Sequence, residues 1–223
     1  MRSSSTAKRS RAERWAVRDL EAIRKFIIPL SPPVTSFEAS VRSTPFRILI
    51  SVLLSARTQD PVTEKAAARL FVKADAPVKM ARLGEAEIAR LIYPVGFYRT
   101  KAKHILGICR ALGKAEGFPA TLESLLELPG IGRKSANLVL ALAFAHPAIA
   151  VDTHVFRISR RLGWSAGRTP GEVEKELERL FPRRRWSEVN QVLVGFGQTI
   201  CRPVHPKCGI CILKGTCPSV ELK

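Results

Sequence analysis

The sequence contains no run of eighteen apolar residues, which excludes a membrane-spanning helix. Its first residues, MRSSSTAKRSRAER, lack the apolar centre of a secretory signal; they read as a basic arm or as a transit peptide. Cysteine is scarce outside one place: four of the five cysteines crowd into residues 201–217. A secreted disulfide scaffold spreads its cysteines, so the thiols are expected to be reduced and intracellular. Strand-like alternation is almost missing, and no internal repeat exists. Acidic residues are few: 19 Asp+Glu against 37 Lys+Arg leave a net charge of +18 at pH 7. A surface that basic attracts polyanions, of which nucleic acid is the commonest; an anionic membrane surface or a ribosome-like structural role are the other readings.

What is present is helical periodicity in a chain of 223 residues that is 46% hydrophobic, ample for a buried core. FRILISVLLSA (Phe46–Ala56) is apolar nearly all round and predicts a buried central helix. PVTEKAAARLFVK, EAEIARLIYPVG and YRTKAKHILGICRALGKAEG predict further helices, the last with Ile105, Ile108, Cys109 and Leu112 on one face. Cys109 there reads as a buried core thiol. In TPGEVEKELERLF, Thr169 and Glu172 match a capping box with Pro170 at the first helical position. SEVNQVLVGFGQTIC then runs helically into the clustered cysteines.

In LELPGIGRKSAN, Gly130 can take a positive φ to end one helix, and Gly132 can let the backbone bend again. The amides of this turn and of the next helix's first residues are then expected to point outward, with the positive end of the helix dipole behind them. That is a site for one phosphate. An ordinary helix–helix turn is the alternative.

Lys134 falls in the first turn of the following helix. The dipole and an apolar surrounding both disfavour an ammonium there, which raises the share of neutral, nucleophilic amine. A solvated, phosphate-binding lysine is the other reading. Asp152, in AIAVDTHVFRISRRLG, is an N-cap for the helix beginning near Thr153; amides aimed at a carboxylate favour its ionised form, which can stabilise a cationic sugar. The helix after Lys134 carries the chain about 18 Å away. Residues 146–152 can return about 23 Å if extended. A shared cleft is therefore permitted by chain length.

The tail CRPVHPKCGICILKGTC spaces its thiols as Cys201-x₆-Cys208-x₂-Cys211-x₅-Cys217. Four thiolates in so short a span can converge on one centre, and ligand softness alone allows Zn²⁺, an iron–sulfur cluster or, less readily, two disulfides.

LPGIGRKSANLVL with AVDTHVFRISRRLG resembles the endonuclease III family, helix–hairpin–helix DNA glycosylases with abasic-site lyase activity. The cysteine spacing matches that family's cluster loop at every gap. The resemblance covers about residues 18–217. It implies an all-α fold of two lobes: a six-helix barrel over residues 36–147, with the helix–hairpin–helix at about 121–137, and an iron–sulfur lobe from residues 18–35 plus 148–223. Residues 1–17 are left as a disordered basic arm.

The family's chemistry carries over as expectations. Lys134 is the Schiff-base nucleophile and Asp152 the second catalytic residue. Cys201, Cys208, Cys211 and Cys217 hold a [4Fe–4S] cluster, and Gly130, Ile131 and Gly132 grip the DNA backbone. Lys207 and Lys214 add phosphate contacts. Arg57 stands where the family usually has a gap-filling glutamine and Phe97 where a leucine often wedges. A surface arginine and a helix-packing phenylalanine are the bland alternatives at those two positions. Ser55, Asp60 and His154 match positions lining or bracing the pocket, and each serves equally as a cap or buried brace.

The partner implied is double-stranded DNA bearing damaged pyrimidines or abasic sites, met by a monomer in the cytoplasm, or in an organelle or nucleus if the source is eukaryotic. A monofunctional mismatch or adenine glycosylase of the same fold and a non-catalytic DNA-binding module are the rival readings.

Overall fold

The computed structural model describes residues 3–36 and 44–220, with residues 3–10 as backbone alone. Every regular element among them is helical. The chain divides into two compact units, one formed by Ser36–His146 and the other by Met1–Thr35 with Pro147–Lys223.

α1 (Ser3–Ile27) belongs to the second of these units, and α2 (Pro45–Ser55) opens the Ser36–His146 unit. Thr44 caps α2 by accepting from the Arg47 N–H. Phe46 and every residue from Ile48 to Leu54 are buried, as expected for a central helix. Around it stand α3 (Asp60–Lys73), α4 (Pro77–Ala81), α5 (Gly84–Ile92), α6 (Tyr98–Leu112), α7 (Leu122–Leu126) and α8 (Arg133–Phe144). α2 packs against α3, α6 and α8, while α6 also packs against α4 and α5. The α6 stripe buries Ile105, Ile108 and Cys109. Full burial of each such side chain contributes about 1.5–3 kcal/mol. Desolvation pushes the Cys109 thiol up to about 11, which keeps it a neutral core group.

The second unit adds α9 (Thr153–Arg161), α10 (Pro170–Leu180) and α11 (Trp186–Thr199) to α1. The Thr169–Glu172 capping box closes as its sequence implies. α11 packs against α1 and α9, and Leu20, Ile23, Val155, Ile158, Leu177, Leu193 and Phe196 meet in one core.

One boundary requires correction. The basic segment through residue 17 is not left out of the fold: α1 starts at Ser3, and Ala16 is only 2% exposed in the core. Ala16, Leu20, Ile23 and Ile27 follow helical spacing, so the buried face of α1 begins at Ala16, within a segment whose composition alone suggested disorder.

Candidate active site

The hairpin before α8 is built by steric necessity at one glycine and not at the other. Gly130 has φ +77, and a Cβ there would lie 2.2 Å from His104 Nδ1 on α6. No other residue fits unless the His104 ring moves aside. Gly132 has φ −96 and ψ 174, open to any residue, and a Cβ on it would meet nothing within 4 Å. The expected second bend is thus not why Gly132 is glycine; its bare surface leaves the backbone approachable.

The N–H groups of Gly130 and Gly132 bond to no acceptor among the described residues, whereas the Ile131 N–H is taken by Leu128 O at 3.1 Å. Ile131 itself is buried. The Ile131 side chain thus anchors the turn, and the glycines on either side carry the N–H groups that have no acceptor among the described residues.

Lys134 follows on the first turn of α8, half-buried. Asp152 belongs to the other unit, where its Oδ1 accepts the Val155 N–H at 2.8 Å and caps α9. His154 lies in the first turn of α9, half-buried, with Nδ1 3.3 Å from Arg157 Nη2. The same guanidinium group donates to Cys201 O at 2.9 Å. Burial lowers the pKa of Arg157 from its ordinary value. Arg157 therefore ties the helix capped by Asp152 to the start of the cysteine loop.

Ser55 turns its hydroxyl back to Val52 O at 2.9 Å, and Asp60 opens α3, where a carboxylate favours the helix dipole. Both stand at helix ends. Arg57 and Phe97 are exposed and meet each other: the Arg57 guanidinium carbon lies 5.5 Å from the Phe97 ring centroid.

Cys201, Cys208, Cys211 and Cys217 are all free and line one cavity of about 180 Å³, with Arg161, Phe196 and Ile200 in its wall and Lys207 and Lys214 also lining it. No three His, Cys, Asp or Glu side chains among the described residues stand close enough to hold a single metal ion. Four thiols around one cavity, with no three of them placed for a single ion, suit a polynuclear group. Two N–H groups also point at sulfur, from Arg161 Nη1 to Cys201 Sγ at 3.5 Å and from Leu213 N to Cys211 Sγ at 3.4 Å. Such donors suit thiolates bonded to iron. The donor set fits an iron–sulfur cluster.

Several of these supports were not foreseen: His104 under the hairpin, Arg157 and Arg161 beside the cysteine loop, and Lys101. The last carried a signal, since Lys101 sits four residues before Ile105 on the apolar stripe of α6.

Residues 50–183 match the family model described as HhH-GPD superfamily base excision DNA repair protein. The chain is 48% identical over 175 residues to endonuclease III of Thermotoga maritima, across 78% of this chain and 82% of that protein. It is 44% identical to mouse endonuclease III-like protein 1, covering 82% of this chain but 63% of the longer mouse protein. A solved structure of a trapped endonuclease III–DNA covalent intermediate superposes with a TM-score of 0.84 at 34% identity, over 94% of this chain and 97% of that one. A thermostable thymine-DNA glycosylase shares the fold, with a TM-score of 0.73 at 24% identity.

Proposed function

We infer the activity from one premise: the chain belongs to the endonuclease III family within the HhH-GPD superfamily of base excision DNA repair proteins. We propose a bifunctional DNA N-glycosylase and abasic-site lyase that acts, as a monomer, on oxidised pyrimidines in double-stranded DNA. The observation that carries the reading is Lys134 on the first turn of α8, two residues beyond the free Gly132 amide. A phosphate bound by the glycine amides would bring the sugar of a damaged nucleotide toward that amine.

In this reading the target nucleotide leaves the base stack. The Asp152 carboxylate stabilises positive charge on the sugar as the N-glycosidic bond breaks, and it assists proton transfer. Lys134 Nζ bonds to C1′ as the base leaves, the C1′–O4′ bond then opens with a proton passing to O4′ to give a Schiff base, and β-elimination removes a C2′ proton as the C3′–O bond to the 3′ phosphate breaks. Water finally releases the lysine. Both residues must reach one nucleotide for this sequence of steps.

The four cavity cysteines would hold a [4Fe–4S] cluster, whose iron ties the chain from Cys201 to Cys217 into one loop. Lys207 and Lys214 are exposed on that loop and would contact phosphates. The role assigned to the cluster is structural.

The test is covalent trapping. With a duplex containing thymine glycol or an abasic site, borohydride should link the wild-type protein to DNA, and Lys134→Ala should abolish the adduct. Base release without strand cleavage would make the protein monofunctional. No reaction on either substrate would leave only a DNA-binding module.

A further inference from the structure

Lys101 is 5% exposed, yet its cation is paired with no carboxylate among the described residues. Its Nζ donates to Leu54 O at 2.8 Å, to Ala56 O at 2.6 Å and to Thr58 Oγ1 at 3.2 Å. All three ammonium donors are thus spent on the end of α2 and on the turn after it. The cation also lies where the α2 dipole places negative charge, so the site is electrostatically favourable to it. Against this stands desolvation, which lowers the amine to about 8.

Leu54 is fully buried, so its carbonyl must be satisfied from within the protein, and the Lys101 ammonium does so while also holding the turn that follows.

That geometry is unusual. Arg57 has φ +54 and Phe97 has φ +58, left-handed values that side-chain-bearing residues adopt only when their surroundings impose them. The two turns carrying them are in contact. Thr58 Oγ1 accepts the Gly96 N–H at 3.2 Å, and a Cβ on Gly96 would lie 2.6 Å from Arg57 O. The Phe97 carbonyl in turn accepts the Lys101 N–H at 3.0 Å. At the far end of the second turn, Arg69 donates to Leu91 O at 2.9 Å and to Tyr93 O. Ammonium, threonine hydroxyl and glycine amide therefore form one chain of bonds joining two strained turns. Their exposed product is the Arg57–Phe97 stack, with Phe97 61% exposed.

We propose that Lys101 is a positioning residue that locks these turns, so that Arg57 and Phe97 meet DNA as a single preformed wedge. The proposal rests on the reading above that the protein extrudes a nucleotide and must fill the space left behind. Rigidity is what it adds: a wedge already stacked spends no binding free energy on ordering two flexible side chains.

The experiment compares a duplex carrying a non-cleavable tetrahydrofuran abasic analogue with the same undamaged duplex. 2-Aminopurine opposite the analogue reports insertion through its fluorescence. Wild type should prefer the analogue duplex and raise the fluorescence. Lys101→Met should lose about tenfold of that preference and most of the fluorescence rise, while binding undamaged duplex within about twofold. Adding Phe97→Ala to Lys101→Met should cost no more than the worse single variant, because both act through one wedge; a merely structural lysine would give additive losses.

Should Lys101→Met fail to fold, Thr58→Val decides, since it cuts the link to Gly96 and leaves both ammonium–carbonyl bonds. Wild-type preference and fluorescence in the folded variant overturn the proposal alone. A wild-type protein with no preference for the analogue duplex overturns the nucleotide-extrusion reading, and this inference with it.

Discussion

Asp152 Oδ1 accepts the Val155 N–H at 2.8 Å, so one oxygen of the proposed catalytic carboxylate is committed to holding its own helix. Asparagine caps a helix as well as aspartate does, but it carries no charge. Asp152→Asn should therefore keep the unfolding free energy within about 0.5 kcal/mol of wild type and slow single-turnover base release by about 10²–10³-fold. Asp152→Ala should lose the cap as well, at a cost of about 0.5–2 kcal/mol. Undiminished base release by the asparagine variant would reduce Asp152 to a capping residue.

The two hairpin glycines should separate stability from binding. Gly130→Ala meets both a left-handed φ and the His104 ring, and should destabilise by about 2–5 kcal/mol. Gly132→Ala enters open space at an ordinary φ, so stability should change by less than about 0.5 kcal/mol. Its methyl group should instead crowd a phosphate at the free amides and weaken binding to undamaged duplex. Denaturant unfolding and a DNA titration on the same preparations check both halves. Equal effects of the two substitutions would contradict the assignment.

Lys101 should leave a signature in stability against pH. Its amine is lowered to about 8 in the folded chain, against 10.5 when unfolded. Between those values the unfolded state binds the extra proton, so the Lys101 contribution to stability rises with pH, by at most about 1.4 kcal/mol per pH unit. Below about pH 8 the lysine is protonated in both states and its contribution is flat. Urea unfolding of wild type and Lys101→Met from pH 7 to 10 should show the difference between them growing in favour of wild type. A difference that stays level would mean the folded lysine keeps its proton throughout.

The cysteine cavity makes a prediction about colour. The purified protein should be yellow-brown, with about four iron atoms per chain. Replacing any of Cys201, Cys208, Cys211 or Cys217 by serine should diminish that absorbance and destabilise the loop. Cys109→Ala should keep it, because Cys109 is a core thiol on α6. A colourless, fully active protein containing zinc would exclude the cluster.

Much of the helical framework was legible before any coordinates, because its determinants are local. The Thr169–Glu172 box and the Asp152 cap are decided by residues three positions apart, within reach of one helical turn. The apolar stripe on α6 could likewise be read from spacing. The sequence alone also determined the order of hairpin, aspartate and cysteine motifs, and with it the family.

Only the tertiary structure decided what distant turns do to one another. Nothing near Lys101 in sequence shows that its acceptors lie 47, 45 and 43 positions earlier. Nothing near Arg57 shows that it will stack on Phe97. The same holds for α1, whose basic residues look unstructured until Ala16 and Leu20 find a core. A helix cap is satisfied by the chain's own next turn, whereas a buried ammonium or an exposed stack acquires its partners only when the fold brings separate helices together.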